Sequence, residues 1–230
     1  MRIELSALQQ QLPILCDLEV KDLCERLAGL GFPVDAVEAF ESTTVLDVDI
    51  TANRGDAMSH RGLARDLGAR LAADLAPVSY LPVIEAREAY RPIRLETEAC
   101  PVYASAVLEL GADAFTPSDV QAFLRAMGST PKNLASVDAS NELLHRFGHP
   151  THAFDADRLE GPIAVRWARE GERLVTLDGI ERTLDARDLV IADASGPIAL
   201  AGVMGGDATK VTETSRRVLL ESAWFDPKVV

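Results

Sequence analysis

The spacing of apolar residues predicts the secondary structure of the N-terminal third of the chain. Over residues 6–12, 19–31 and 56–75 the apolar side chains recur every three or four positions, which is typical of helices with one buried face. Residues 34–40 and 45–50 read instead as two strands joined by a polar turn. We therefore predict a compact helix–strand–strand–helix domain.

A proline-rich stretch follows this domain. Residues 76–92 hold three prolines and show no sustained hydrophobic period, which is typical of a connection between domains. We therefore predict a first domain over residues 1–76, a linker over residues 77–90 and a second domain over residues 91–230.

The second domain is richer in strand patterns. Helices are predicted over residues 116–128 and 139–147, the second ending at Gly148. Strands are predicted over residues 93–97, 103–110, 163–168, 173–177, 180–184, 189–192, 198–203 and 218–223. Asp178 and Gly179 form a dipeptide typical of a hairpin turn. The expected fold class is α+β: the small N-terminal domain, then a mixed, mostly antiparallel sheet domain with helices on one side.

Composition narrows the possible environments and partners. Hydrophobic residues make up 47% of the 230 residues, enough for a packed core, and we find neither a signal peptide nor an apolar run that could cross a membrane. We therefore expect a cytoplasmic protein with no membrane partner. The formal charge of −13 argues against unaided binding of nucleic acid. Only local clusters such as Arg166, Arg169 and Arg173 are left to contact phosphates. No DNA partner is expected.

The stretch GHPTHAFD, residues 148–155, crowds two histidines, a proline and an acid together after a predicted helix. With His145, the histidines have a spacing that would suit metal ligands on one helix, but Gly148 and Pro150 interrupt the helix. The three cysteines are too widely spaced for a zinc site or a disulfide framework. We expect a loop with no metal and no cofactor, and the residues leave open whether that loop is structural or catalytic.

A glycine cluster, AGVMGG over residues 201–206, lacks the Gly-Lys-Ser/Thr ending of a phosphate loop and opens no helix. It reads either as a plain turn or as a strand end where a small ligand meets bare backbone. No Gly-x-Ser-x-Gly motif is present, so no serine hydrolase is indicated.

Six ordered motifs over nearly the whole chain resemble one family, the beta subunit of bacterial phenylalanyl-tRNA synthetase, in its N-terminal and editing modules. They are DITANRGDAMSHRGLAR (49–65), VDASN (137–141), GHPTHAFD (148–155), RLVTLDGIERTL (173–184), ALAGVMGG (199–206) and LLESAWFDP (219–227). The resemblance implies an aminoacyl-tRNA deacylase that hydrolyses the ester of tyrosine mischarged on the tRNA for phenylalanine. Its partners would be the aminoacylated 3′ end of tRNA and synthetase subunits.

The resemblance also implies roles for individual residues. His152 and Asn141 would act at the ester, and Glu221 would accept the hydrogen bond of the tyrosine hydroxyl. The other residues expected to line the substrate site are Ser140, Pro150, Ala201, Gly202 and Gly205.

The chain departs from the family pattern in ways that affect the expected function. Residues 40–45 close the point where the family carries an inserted barrel domain, and the sequence stops at Val230, before a family segment that contributes to the pocket. Ser140 stands where a threonine is usual. Two classes therefore stay open: an editing deacylase, or a non-catalytic module or fragment that binds tRNA or a synthetase. The resemblance excludes a complete ligase, because that active site lies in the other subunit.

Overall fold

The computed structural model describes residues 1–78, 91–111 and 113–230, which group into two compact units. The first unit comprises Met1–Val83 and Phe115–Pro150, and the second comprises Ile84–Ala114 and Thr151–Val230. The expected α+β class is confirmed. Most of the predicted linker, residues 79–90, lies outside the described residues.

The first unit packs α-helices against a three-stranded antiparallel sheet of order β1-β3-β2. Its strands are β1 (Arg2–Glu4), β2 (Val34–Phe40) and β3 (Thr43–Val48), and its helices are α1 (Leu5–Gln11), α2 (Val20–Gly29), α3 (His60–Leu71), α4 (Ser118–Ala126) and α5 (Ala135–Phe147). Short 3₁₀ turns cover Pro13–Asp17 and Gly55–Ala57. The sequence pattern predicted these α-helices and two of the strands, but it missed β1, which has only three residues.

The hairpin between β2 and β3 is tighter than the four-residue turn expected from the sequence. Phe40 and Thr43 are paired across the strands, so only Glu41 and Ser42 connect them. Glu41 adopts a left-handed backbone conformation with φ of 49°, and its carboxylate accepts hydrogen bonds from Arg125 at 2.8 and 3.2 Å. The chain therefore passes through this point with a minimal loop.

The motif over residues 49–65 builds the start of α3. The Ser59 hydroxyl accepts a hydrogen bond from the Gly62 backbone N–H at 3.0 Å, capping the helix. Gly62 is required because an ideal Cβ there would lie 2.2 Å from the backbone oxygen of Asp56. Ser59 and Gly62 of this motif thus have a structural role in the first unit.

His60 joins three elements of the first unit. It is fully buried; its Nε2 accepts a hydrogen bond from the Glu4 backbone N–H at 3.1 Å, and its Nδ1 lies 2.8 Å from the His145 carbonyl oxygen. These two contacts fix the neutral tautomer with the proton on Nδ1. Burial lowers the pKa of His60 to about 4, so the imidazole stays uncharged at neutral pH.

The second unit packs two sheets around an apolar core, and a second, smaller apolar cluster includes Leu174, Leu184 and Val190. Its strands are β4 (Ile93–Leu95), β5 (Val102–Glu109), β6 (His152–Asp155), β7 (Ile163–Trp167), β8 (Arg173–Val175), β9 (Glu181–Thr183), β10 (Leu189–Ala192), β11 (Pro197–Leu200), β12 (Met204–Gly205) and β13 (Arg217–Trp224). The sheet orders are β12-β11-β10-β7-β4 and β5-β13-β6, with β8 and β9 forming a separate hairpin across the predicted Asp178–Gly179 turn. Only the β4–β7 pair is parallel among the described strands, as the mostly antiparallel expectation requires.

The helices α4 and α5 group with the first unit, and the predicted domain over residues 91–230 stays a prediction. One other expectation differs from the structure. The GHPTHAFD stretch was expected to be a loop, and that expectation is wrong for its second half, because His152–Asp155 form β6 and pair with β13. The buried Asp155 explains the error: its carboxylate accepts from the Ser215 hydroxyl at 2.6 Å, so an acid stands at an interior strand position.

Candidate functional site

A cluster of polar side chains lies on the core-facing side of the β5-β13-β6 sheet. On the central strand β13, Glu221 is directly opposite His152 of β6 and Ser105 of β5. Tyr103 is paired with Ala223, which makes it the diagonal neighbour of Glu221 on the same face. Residues that alternate with the cluster on this face, Phe154 among them, belong to the apolar core.

Three atoms of this cluster are buried without any hydrogen-bond partner. They are the Tyr103 hydroxyl, Nε2 of His152 and Oε2 of Glu221, and they come from three adjacent strands. Buried polar atoms are normally paired, since an unpaired one costs about 1–3 kcal/mol. Their concentration on one sheet face therefore indicates a ligand site.

Burial also controls the charge state of the cluster. It raises the pKa of Glu221 to about 8 and lowers the pKa of His152 to about 4. It raises the pKa of Tyr103 as well, with the negative charges of Glu221 and Cys100 adding to the effect. At neutral pH the cluster therefore consists mainly of a protonated carboxyl, a neutral imidazole and a neutral phenol. It can donate and accept hydrogen bonds without carrying a fixed charge.

The imidazole of His152 lies directly over Gly205 of β12. An ideal Cβ on Gly205 would be 2.3 Å from Cε1 and 2.5 Å from Nε2 of His152, distances that no real contact allows. The ring also packs edge-on against Phe154, with 4.4 Å between ring centroids. The absence of a side chain at Gly205 is thus what gives His152 its position.

The other two residues expected beside Gly205 face different neighbours. Ala201 is buried in the core of the second unit and donates its backbone N–H to the Leu189 carbonyl at 3.0 Å. A Cβ on Gly202, whose φ is 71°, would meet Val230 at 3.0 Å and Phe225 at 3.3 Å. The structure therefore brings His152, Gly205 and Glu221 together, while Ala201 and Gly202 border the core and the C-terminal residues.

The remaining expected site residues belong to the first unit. Asn141 and Ser140 lie on α5, both partly exposed, and Pro150 is exposed just beyond the helix. The Ser140 hydroxyl donates to the Ser136 carbonyl at 2.9 Å within the helix. The roles of Asn141, Ser140 and Pro150 at the ester stay predictions.

Sequence reasoning did not single out Tyr103, although the pattern held a signal for it. In the strand predicted over residues 103–110, YASAVLEL, residues alternate between two faces, so Tyr103 shares a face with Ser105 and Val107. A large polar aromatic on the core face of a strand is a group whose hydroxyl needs a partner. That requirement could have marked Tyr103 before the structure.

Charged groups elsewhere in the second unit are largely paired. Arg166 makes two hydrogen bonds of 2.8 Å to Glu172, and Arg173 pairs with Glu181 at 2.8 Å. Two of the three arginines expected to meet phosphates are therefore already engaged with acids. Within residues 1–78, 91–111 and 113–230, no helix is long and apolar enough to cross a membrane and no cluster of potential metal ligands occurs.

Comparison with known proteins assigns the second half of the chain to a family. A family model described as the B3/4 domain matches residues 99–230. The chain belongs to the B3/4 domain family. The B3/4 match includes α4 and α5 as well as most of the second unit, so the family domain does not coincide with a compact unit. The predicted boundary near residue 91 stays a prediction.

Curated relatives extend the similarity over most of the chain. This B3/4 protein is 44% identical over 229 residues to the phenylalanine–tRNA ligase beta subunit of Gloeobacter violaceus, covering 94% of the chain and 29% of that protein. It is 43% identical over 208 residues to the same subunit from Streptococcus pneumoniae strain R6, covering 86% and 26%. The corresponding Pseudomonas syringae pv. tomato subunit shows 42% identity over 183 residues, covering 79% and 23%. The chain thus spans less than a third of the length of these relatives.

A solved structure of an N-terminal fragment of the phenylalanyl-tRNA synthetase beta subunit from Pyrococcus horikoshii resembles the present structure. The matched region includes 100% of this chain and 69% of that fragment. The TM-score is 0.48 at 16% sequence identity, a likeness too weak to carry an argument. The similarity to phenylalanine–tRNA ligase beta subunits therefore rests on the sequence relatives, and the family assignment rests on the B3/4 match.

Proposed function

We propose that this chain is an editing deacylase that hydrolyses the ester of tyrosine mischarged on the tRNA for phenylalanine. The observation that carries the proposal is the buried Glu221 carboxyl, unpaired at Oε2 and directly opposite His152, which rests on Gly205. All three residues lie in the motifs by which the sequence resembles the phenylalanine–tRNA ligase beta subunits. The aminoacylated 3′ end of tRNA, synthetase subunits and a cytoplasmic location belong to the same proposal.

Glu221 supplies the amino-acid choice in this mechanism. A buried acid pairs with the phenolic hydroxyl of tyrosine, whereas phenylalanine leaves the acid without a partner. Sites built to bind a substrate hydroxyl reject the analogue that lacks it, because a buried polar group then stays unpaired. Oε2 of Glu221 is such a group, because it is buried and has no hydrogen-bond partner in the protein.

His152 acts at the ester. Its pKa of about 4 keeps the imidazole neutral at physiological pH, so the unpaired Nε2 can accept a hydrogen bond from the attacking water or orient the ester. Orientation alone can supply a large part of the rate enhancement. The roles proposed for Asn141, Ser140 and Pro150 at the aminoacyl end rest on the sequence resemblance alone.

A second candidate is a module that binds tRNA or a synthetase without hydrolysis. The observation that favours it is the electrostatic state of the chain: a formal charge of −13, with Arg166 and Arg173 paired to acids. A chain with such a surface needs partner subunits to supply most of the affinity for tRNA phosphates. The two candidates differ in turnover, which one assay measures.

The test is deacylation of Tyr-tRNA and Phe-tRNA, both charged on the tRNA for phenylalanine, by the parent chain and by Glu221→Ala. We expect the parent to prefer the tyrosyl ester. Glu221→Ala should narrow that preference by about 1–3 kcal/mol, the range for a hydrogen bond to a buried ionisable group. The matched control is Glu213→Gln, an exposed acid of the same unit, which should leave the preference unchanged.

Each result separates the candidates. A parent chain that releases neither amino acid would reject the deacylase and support the binding module. Turnover without a tyrosine preference, or a Glu221→Ala variant with the full preference, would remove Glu221 from the role of selecting the substrate.

A further inference from the structure

Tyr103 is a buried polar group that the proposed reaction leaves unexplained. It lies on β5, its hydroxyl has no hydrogen-bond partner, and its ring packs against the apolar core of the second unit. In a folded protein such a hydroxyl normally finds a partner, because leaving it unpaired costs free energy. A group at this position calls for either a structural or a ligand-binding explanation.

The register of the sheet places Tyr103 beside Glu221. Glu221 is paired with Ser105, two residues along β5 from Tyr103, so the tyrosine is its diagonal neighbour on the same face. Diagonal neighbours in an antiparallel pair have Cα atoms about 7–8 Å apart, a separation that an aromatic side chain spans. When Glu221 ionises, its charge raises the pKa of the Tyr103 hydroxyl, which agrees with this proximity.

The two groups are complementary to one kind of ligand atom. A phenol and a protonated carboxyl can each donate one hydrogen bond and accept others. An ammonium group could only donate, and a carboxylate could only accept and would be repelled whenever Glu221 ionises. A hydroxyl both donates and accepts, so it can satisfy both groups at once.

One neighbour of the cluster is exposed to solvent. Ser105, directly opposite Glu221 on β5, is exposed, although Glu221 itself is only 6% exposed. The row of side chains therefore runs from a buried acid to a solvent-accessible position on the neighbouring strand.

We propose that Tyr103 is a second specificity-determining residue, whose hydroxyl binds the same ligand hydroxyl as Glu221. The ligand hydroxyl donates to the Glu221 carboxyl and accepts from the Tyr103 phenol. The proposal rests on the proposed function for the identity of the ligand, a tyrosyl group, and it adds a donor to the acceptor already assigned. Discrimination against phenylalanine then comes from two unpaired groups instead of one.

The test uses the full chain and two non-esterified probes, L-tyrosinamide and L-phenylalaninamide, whose binding is followed by NMR titration of the His152 ring signals. No tRNA and no hydrolysis are needed, so binding and turnover are measured separately. We expect the parent to bind tyrosinamide more tightly. Tyr103→Phe should reduce the ratio of the two affinities by about fivefold, the effect of one neutral hydrogen bond, without weakening phenylalaninamide binding.

Stability in urea provides the readout that separates this role from a structural one. Because the Tyr103 hydroxyl has no partner in the protein, Tyr103→Phe should leave the midpoint unchanged or raise it. Thr209→Val is the matched control, since it removes another buried, unpaired hydroxyl of the same unit. It should also preserve the midpoint, and it should keep the full preference for tyrosinamide.

The outcomes distinguish failure of this proposal from failure of the proposed function. A parent that prefers tyrosinamide together with a Tyr103→Phe variant that retains the preference would overturn the role of Tyr103 alone. A Tyr103→Phe variant that is less stable and binds both probes more weakly would assign the hydroxyl a structural role and also overturn it. A parent with no preference for tyrosinamide would overturn the tyrosine-selective pocket itself, and this proposal with it.

Discussion

Gly205→Ala is the substitution for which the structure makes the sharpest prediction. The added Cβ would lie 2.3 Å from Cε1 of His152, whereas ordinary contacts begin at 3.4 Å. The imidazole must therefore retreat by about 1.1 Å, the difference between those two distances. Phe154 packs edge-on against the ring and restricts the space into which it can move.

The size of the effect follows from this displacement. Inserting one carbon into a packed interior costs about 1–3 kcal/mol of unfolding free energy. A catalytic group misplaced by about 1 Å can cost on the order of 100-fold in rate. We therefore expect Gly205→Ala to lose both stability and deacylation of Tyr-tRNA.

A double-mutant cycle tests the physical cause without relying on the proposed function. Urea unfolding is measured for the parent, Gly205→Ala, His152→Ala and the double variant. Because the imidazole is absent in His152→Ala, adding Ala at position 205 should then cost almost nothing, giving a coupling of about 1–3 kcal/mol. Equal costs of Gly205→Ala in both backgrounds would refute the reasoning. Gly111→Ala, with no described atom within 4 Å of its Cβ, should be close to neutral.

Two further predictions concern the first unit. The pKa of His60 is lowered to about 4, so the unfolded chain binds a proton that the folded chain does not as the pH falls below 6.5. Between about pH 7 and pH 4, the free energy of unfolding in urea should therefore fall by up to about 3 kcal/mol more in the parent than in His60→Gln. An equal fall in both proteins would contradict a buried neutral imidazole. Gly62→Ala should be destabilising by at least about 1–3 kcal/mol despite the higher helix propensity of alanine, because its Cβ would meet the backbone of Asp56. Gly29→Ala, at the open end of α2, should instead be neutral or stabilising by up to about 1 kcal/mol, and thermal unfolding of both variants measures the contrast.

Hydrophobic patterning predicted most of the elements because most of them bury one regular face. The strand β2 was predicted with the bounds that the structure has, and α5 ends at Gly148, whose left-handed φ of 76° closes the helix as expected. The pattern failed at β6, where the buried Asp155 is paired with Ser215, a partner 60 residues away in the sequence. The residues around Asp155 cannot predict a hydrogen-bond partner that is so distant in the sequence.

The sequence predicted three members of the candidate site, but it predicted neither Tyr103 nor the physical state of the cluster. The motifs indicated His152, Gly205 and Glu221, and alternation along β13 places Glu221 on the same face as the buried Leu219. Sequence alone could not show that Oε2 of Glu221 lacks a partner. It also could not show that His152 occupies the space of a missing side chain at Gly205, since that contact joins two different sheets.

The two-residue hairpin between β2 and β3 makes the first unit a natural acceptor for inserted domains. Phe40 and Thr43 are neighbours across the strand pair, so both ends of an insert would leave from one point, and a domain with adjacent termini could be joined there. Loop-closure entropy grows only slowly with length, so even a large insert adds little cost once it folds by itself. A domain inserted at this point would thus leave the pairing of β2 and β3 intact, and its removal would restore the two-residue hairpin.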